Sequence, residues 1–288
     1  MPLSMYQEND KVSRSKIGHI LGIASGKGGV GKSTVAVNVA LALKRLGHSV
    51  GLMDTDVYGP SVRRMMPEDR GPSQKGEMLF PALSRGVRLI TMAYFRKENE
   101  AIVVRAPIAN GIVTQFIHKV QWGDLDFLLI DFPPGTGDIQ LTLSQQANLT
   151  GVIMVSTPQE LAIMDVRKAM HMFHQVQVPV LGVVENMCGY HPEGGGEIQY
   201  LFGKGGAERL ARESGVPFLG EIPIDPELSR RSDCGESIFD LKGEEECLAA
   251  DAFEKIAKSV EAHAEAMNKY SKDCLGSFEL KWKEMTEV

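Results

Sequence analysis

Lys32 and Ser33 close the stretch Gly26-Lys27-Gly28-Gly29-Val30-Gly31-Lys32-Ser33-Thr34, whose spacing satisfies the phosphate-loop pattern G-x-x-x-x-G-K-[ST]. Each residue type has a chemical reason to be there. Glycine lets the backbone approach phosphate oxygens without a Cβ in the way. An ammonium at Lys32 reaches β/γ-phosphates, and a hydroxyl at Ser33 can sit on Mg²⁺. Three carboxylates, Asp54, Asp56 and Asp131, follow apolar runs further along. Asp131 ends Leu128-Leu129-Ile130, the form of a Walker B acid, which holds the Mg²⁺ shell through water because Mg²⁺ dehydrates reluctantly. Asp54 and Asp56 are separated by one residue, so on an extended segment both face one side. There they can orient an attacking water or bind Mg²⁺ through water; the plain alternative is a solvated strand end.

These groups need elements to bring them together. An apolar run at 17–24 reads as a buried strand before the loop, and helical spacing over 35–46 follows it. Backbone N–H groups and a helix start then converge on one anion. Further strands are expected at 49–53, 125–130, 151–155, 178–184 and 216–222, with helices over 108–120, 139–147, 160–175, 206–214 and 244–270. Such alternation predicts an α/β fold, a mostly parallel sheet covered by helices on both faces, with ligand beyond the carboxyl ends of the strands. The Gly/Pro-rich segment 67–86 predicts a hairpin near 78–83. Phe278, Leu280 and Trp282 alternate, which suggests a small strand or docking segment. The organisation expected is a polar extension over 1–16, one domain over 17–270 and a tail over 271–288.

Lys27 resembles the signature lysine of the deviant Walker A group of P-loop ATPases, which includes MinD, ParA and the nitrogenase iron protein. The resemblance implies an ATP-dependent homodimer in which Lys27 reaches the nucleotide of the other copy. The segments 54–61, 131–138, 184–187, 202–208 and 219–226 together look like the Mrp/ApbC subfamily of iron–sulfur cluster carriers, over about residues 17 to 265. What that implies is slow ATP hydrolysis in a three-layer P-loop NTPase fold, and delivery of clusters to apo iron–sulfur proteins. It also implies that Asn186 and the segment from Pro223 to Asp225 line an adenine pocket. An amide offers both donor and acceptor, which suits a base edge; on its own sequence Asn186 could equally cap a turn.

The subfamily carries Cys-x-x-Cys shortly after Glu-Asn-Met. Here the segment reads Cys188-Gly189-Tyr190-His191-Pro192-Glu193-Gly194, with His191 and Gly194 at the two cysteine positions. Cys188 and His191 form a C-x-x-H pair, and a two-fold axis would supply two thiolates and two imidazoles, a set suited to Zn²⁺ or a cluster. The other reading is an incidental pair on a glycine-rich loop. A family fold that has lost its cluster and serves as an ATP-driven scaffold, or a MinD/ParA-like positioning ATPase, are the competing functions.

Composition narrows the classes. With 43% hydrophobic and 24% charged residues, the 288-residue chain is of ordinary globular type. No apolar run approaches the roughly 18 residues of a membrane span, and residues 1–16 show no apolar leader core. The net charge of −6 gives non-specific nucleic-acid binding no support. Four widely spaced cysteines suit a reducing cytoplasm better than a disulfide framework. The partners the resemblance implies are a second copy and apoproteins, and the composition favours neither membrane nor nucleic acid.

Overall fold

The structure, a computed structural model, describes residues 16–56, 61–95, 106–135, 137–192, 195–241 and 247–286. Expectations that rest on residues 1–15, 57–60, 136, 193–194 and 242–246 lie outside it. Strand β1 (Ile17–Ala24) runs through the glycine-rich loop into α1 (Lys32–Arg45), followed by β2 (Val50–Asp54) and the short α2 (Ser61–Met65). Next come β3 (Ser73–Lys75), β4 (Met78–Phe80), β5 (Ala82–Ser84) and β6 (Val87–Thr91). α3 (Ala106–Lys119), β7 (Leu125–Asp131), α4 (Asp138–Gln146), β8 (Gly151–Ser156) and α5 (Glu160–Gln175) then alternate. β9 (Val180–Tyr190), α6 (Gly206–Ser214), β10 (Phe218–Ile224), α7 (Pro226–Cys234) and α8 (Leu248–Thr286) follow.

Eight of these strands form one sheet in the order β10-β9-β8-β1-β7-β2-β6-β5, parallel except for the β5–β6 pair. Both faces are covered, which is why the central strands read as unbroken apolar runs. Side chains still alternate: in β7, Phe127 and Leu129 join the core of α1 and α8, while Leu128 and Ile130 join that of α3, α4 and α5. Register then places the chemistry. Asp131 lies beside Ile23 of β1 and beside Asp54 of β2, so the two acids end adjacent parallel strands.

Several local expectations are corrected. The hairpin near 78–83 is two hairpins, β3–β4 and β5–β6. Arg85 and Gly86, both at positive φ, make the second turn tight enough to hide inside one Gly/Pro-rich stretch. Helix α7 was not expected at all, although Asp225 followed by Pro226 is a helix-start signal. The alternation at Phe278, Leu280 and Trp282 does not form a strand: α8 continues as a single 39-residue helix. Glu, Lys, Leu and Met, good helix formers, fill that stretch and outweigh three alternating positions.

Candidate nucleotide site

Two glycines make the loop possible. A Cβ on Gly26 would stand 2.2 Å from the Asp165 backbone, so α5 can pack directly on the loop only because that Cβ is missing. Gly31 caps α1 at φ +80, and a Cβ there would meet the Asn186 amide nitrogen at 2.3 Å. Ser25 steadies the turn by donating its hydroxyl to the Lys27 carbonyl (3.0 Å). The first turn of α1 holds no acid, which leaves its N–H groups and dipole attractive to an anion.

Lys32 is buried, and its ammonium donates to Asp131 Oδ1 (2.5 Å) and to the Ser33 hydroxyl (3.3 Å). Asp131 is fully buried, and its Oδ2 makes no hydrogen bond. Burial pushes its carboxyl above the usual range, and the Lys32 charge opposes the rise. Asp54 is equally buried. Its Oδ2 accepts from Thr91 Oγ1 (2.7 Å) and its Oδ1 from the Asp56 N–H (3.0 Å). Burial first, and Asp131 second, push its pKa up to about 7. The two acids of the Asp-x-Asp pair therefore part company: Asp56 lines the cleft, whereas Asp54 is sealed beneath it. Thr55 ties the strand ends by donating Oγ1 to the Asp131 carbonyl (2.7 Å).

The loop opens on a cleft of about 730 Å³, within the range of small-molecule sites. Lys27, Gly28, Gly29, Gly31, Lys32, Ser33 and Thr34 line it. Pro223, Ile224, Asp225 and Leu228 also line it, and so does Asn186, which touches the loop itself. Val30 is buried behind the loop, and its carbonyl accepts from Asn186 Nδ2 (2.9 Å), leaving the amide oxygen as the remaining group. Asp225 reaches the cleft, but its carboxylate is committed elsewhere. Oδ1 caps α7 through the N–H groups of Glu227 (2.9 Å) and Leu228 (3.4 Å), and Oδ2 accepts from Cys247 Sγ (3.2 Å) and the Ala249 N–H (3.3 Å). An acid before a proline was the signal that would have revealed this capping role. Met187, Leu201 and Phe202, which sequence reasoning did not single out for the cleft, also line it. Met187 holds φ +59, a bulged position between Asn186 and Cys188 that nothing in its residue type foretells.

Cys188 and His191 are placed differently from one another. Cys188 is buried in β9, and burial, with Glu221 and Glu185, pushes its thiol up to about 12. His191 is exposed beyond the strand end. Among the described residues, no three His, Cys, Asp or Glu side chains converge as a metal site. Cys234 is exposed at the end of α7, and Cys247 is buried against Asp225.

A glycine loop between a buried strand and a helix start, with the helix's first lysine paired to an aspartate that ends the neighbouring parallel strand, defines a P-loop NTPase. The family profile described as "ParA: NUBPL iron-transfer P-loop NTPase" matches residues 16–261. The chain belongs to that family. An iron-sulfur cluster carrier protein of Aquifex aeolicus is 44% identical over 243 residues, 83% of this chain and 66% of that protein, so the chain spans just under two thirds of its length. One of Methanocaldococcus jannaschii is 40% identical over 260 residues, 88% of each chain. A nucleotide-binding protein of Archaeoglobus fulgidus, solved in complex with ADP, superposes with a TM-score of 0.67 at 40% identity, covering 76% of this chain and 87% of that one. Among the described residues no helix is long and apolar enough to cross a membrane.

Proposed function

We propose that the chain binds and slowly hydrolyses ATP as a homodimer and carries iron–sulfur clusters to apoproteins. The observation that carries the ATPase reading is the Lys32 ammonium held between Ser33 and a buried Asp131 with one unpaired oxygen. An ammonium parked on a carboxylate beside a helix start can move to a phosphate without crossing solvent. The backbone of Gly28, Gly29 and Gly31 cradles the phosphates, and Lys32 leaves Asp131 for the β/γ-phosphates. A hydroxyl and an orphaned carboxylate oxygen form a hard-oxygen set that fits Mg²⁺, so Ser33 and Asp131 are its proposed holders. When bound, Mg²⁺ neutralises charge on the phosphate oxygens. Asp56, the acid that reaches the cleft, orients the attacking water. At the base end, the free oxygen of the Asn186 amide accepts from an amino group such as that of adenine, and Pro223 packs on the ring.

Lys27, half-buried at the cleft mouth, is assigned to the nucleotide of a second copy. The relatives' names supply the cargo reading, and the sole buried cysteine on the strand leading from the cleft, Cys188, is the ligand offered to it. With the thiol raised by burial, ligation requires the end of β9 to open and the thiolate to form.

The ATPase reading predicts Mg²⁺-dependent ATP hydrolysis that falls by roughly 10²–10³-fold in Lys32→Ala, as removal of a phosphate-directed charge does. Steady-state phosphate release measures it. Equal turnover in the variant would remove Lys32 from the reaction.

A further inference from the structure

We infer that Gln140 is a positioning residue for hydrolysis, holding the segment from Pro133 to Gly135 against the cleft through a side chain whose second polar end is kept free. The inference rests on the ATPase reading above. Gln140 sits in the first turn of α4 and is only 1% exposed. Its Nε2 donates to the Pro133 carbonyl at 2.6 Å. A carbonyl can only accept, so the amide nitrogen must face it and the orientation of the amide is set. Oε1 is then buried and without a donor.

The loop it holds begins at a fixed point. The Phe132 N–H donates to the Ile23 carbonyl (3.0 Å), and Thr55 holds the Asp131 carbonyl, so the end of β7 is tied on both sides. Beyond it come Pro133 and Pro134, neither with an N–H to bond to anything. Pro134 lines the cleft alongside Lys27 and Gly28. Where that proline stands is therefore governed by the Pro133 carbonyl, and Gln140 grips this carbonyl from the helix.

The free oxygen is the informative part. A buried acceptor without a donor is costly. The bond to Pro133 uses the amide nitrogen, but a merely structural position has no use for the oxygen. A loop that changes position does. Two prolines make Gly135 the first residue of the loop able to offer an N–H, and Gly135 holds φ +93 with open space around its Cα. When the loop closes on a terminal phosphate, Oε1 is the acceptor waiting for such an N–H. Gln140 thus has one bond for the open loop and a second for the closed one.

The test compares wild type with Gln140→Met and Gln140→Glu, reading kcat and KM for ATP with Mg²⁺, ADP affinity and Tm. Methionine keeps the length and removes both amide ends. Positioning predicts kcat down by about tenfold or more with KM and ADP affinity within about threefold, and a Tm lowered only modestly, because the buried Pro133 carbonyl loses its donor while the unpaired oxygen is removed. In Gln140→Glu the protonated acid can donate to the Pro133 carbonyl as the amide does. Its kcat relative to wild type should rise as pH falls, while that of Gln140→Met stays flat. Wild-type kcat in Gln140→Met would overturn the inference alone. Absence of turnover in the wild type would overturn the ATPase reading and this inference with it.

Discussion

A carboxylate sealed between two strands is a liability to the fold, and Asp54 is such a group. Its pKa stands at about 7, raised by burial and by Asp131. The unfolded chain releases that proton near pH 4, so between roughly pH 4 and pH 7 the folded state binds more protons than the unfolded one. Stability from this group therefore falls as pH rises through that window, and the penalty is complete above it. Asp54→Asn removes the titration, so the variant's Tm minus that of wild type should be more positive at about pH 8 than at about pH 5. Parallel Tm–pH curves would show that Asp54 does not titrate in that window. Asp54 and Asp225 also show what one sequence could and could not convey. Asp54 stands where an acid near the phosphate loop was expected, and Asp225 where the resemblance implied an adenine pocket. Register and burial send Asp56, not Asp54, into the cleft, and capping claims the carboxylate of Asp225. Side-chain commitments of this kind depend on partners distant in sequence, such as Thr91 for Asp54 and Cys247 for Asp225.

At the scale of elements, the glycine-rich loop works because α5 and β9 both press on it. Gly31→Ala should strain a φ of +80 and drive a Cβ into the Asn186 amide, breaking its bond to Val30. The expected cost is about 1–3 kcal/mol of stability together with loss of nucleotide affinity, read by thermal unfolding and ADP titration. Unchanged affinity would mean that the loop tolerates a different backbone path. The strands carrying the site were legible because full burial on both faces makes them continuous apolar runs: β1 begins and ends at the expected residues, and β7 only adds Asp131. What escaped were elements without such a signal. β5 and β6 are short, α2 is five residues long, and the bulge at Met187 needs a conformation that methionine rarely adopts. β9 also runs past its expected end at Val184 to Tyr190, which is what buries Cys188.

For the molecule as a whole, one sheet connects two chemistries. Asn186 touches the glycine-rich loop, Met187 lines the cleft, and Cys188 follows directly on the same strand. Nucleotide at one end and cargo at the other would thus share a single bulged segment, and a second copy would complete both the nucleotide contact of Lys27 and the ligand set at Cys188. The exposed Leu161, Met164, Leu201 and Phe202 leave apolar surface on α5 and on the segment that follows β9. The direct test of the carrier claim is iron and acid-labile sulfide per chain after anaerobic reconstitution, measured for wild type beside Cys188→Ala. The account predicts iron and sulfide in matching amounts per dimer in wild type, lost in Cys188→Ala. A folded, ATP-binding wild-type protein that retains neither iron nor sulfide would contradict it.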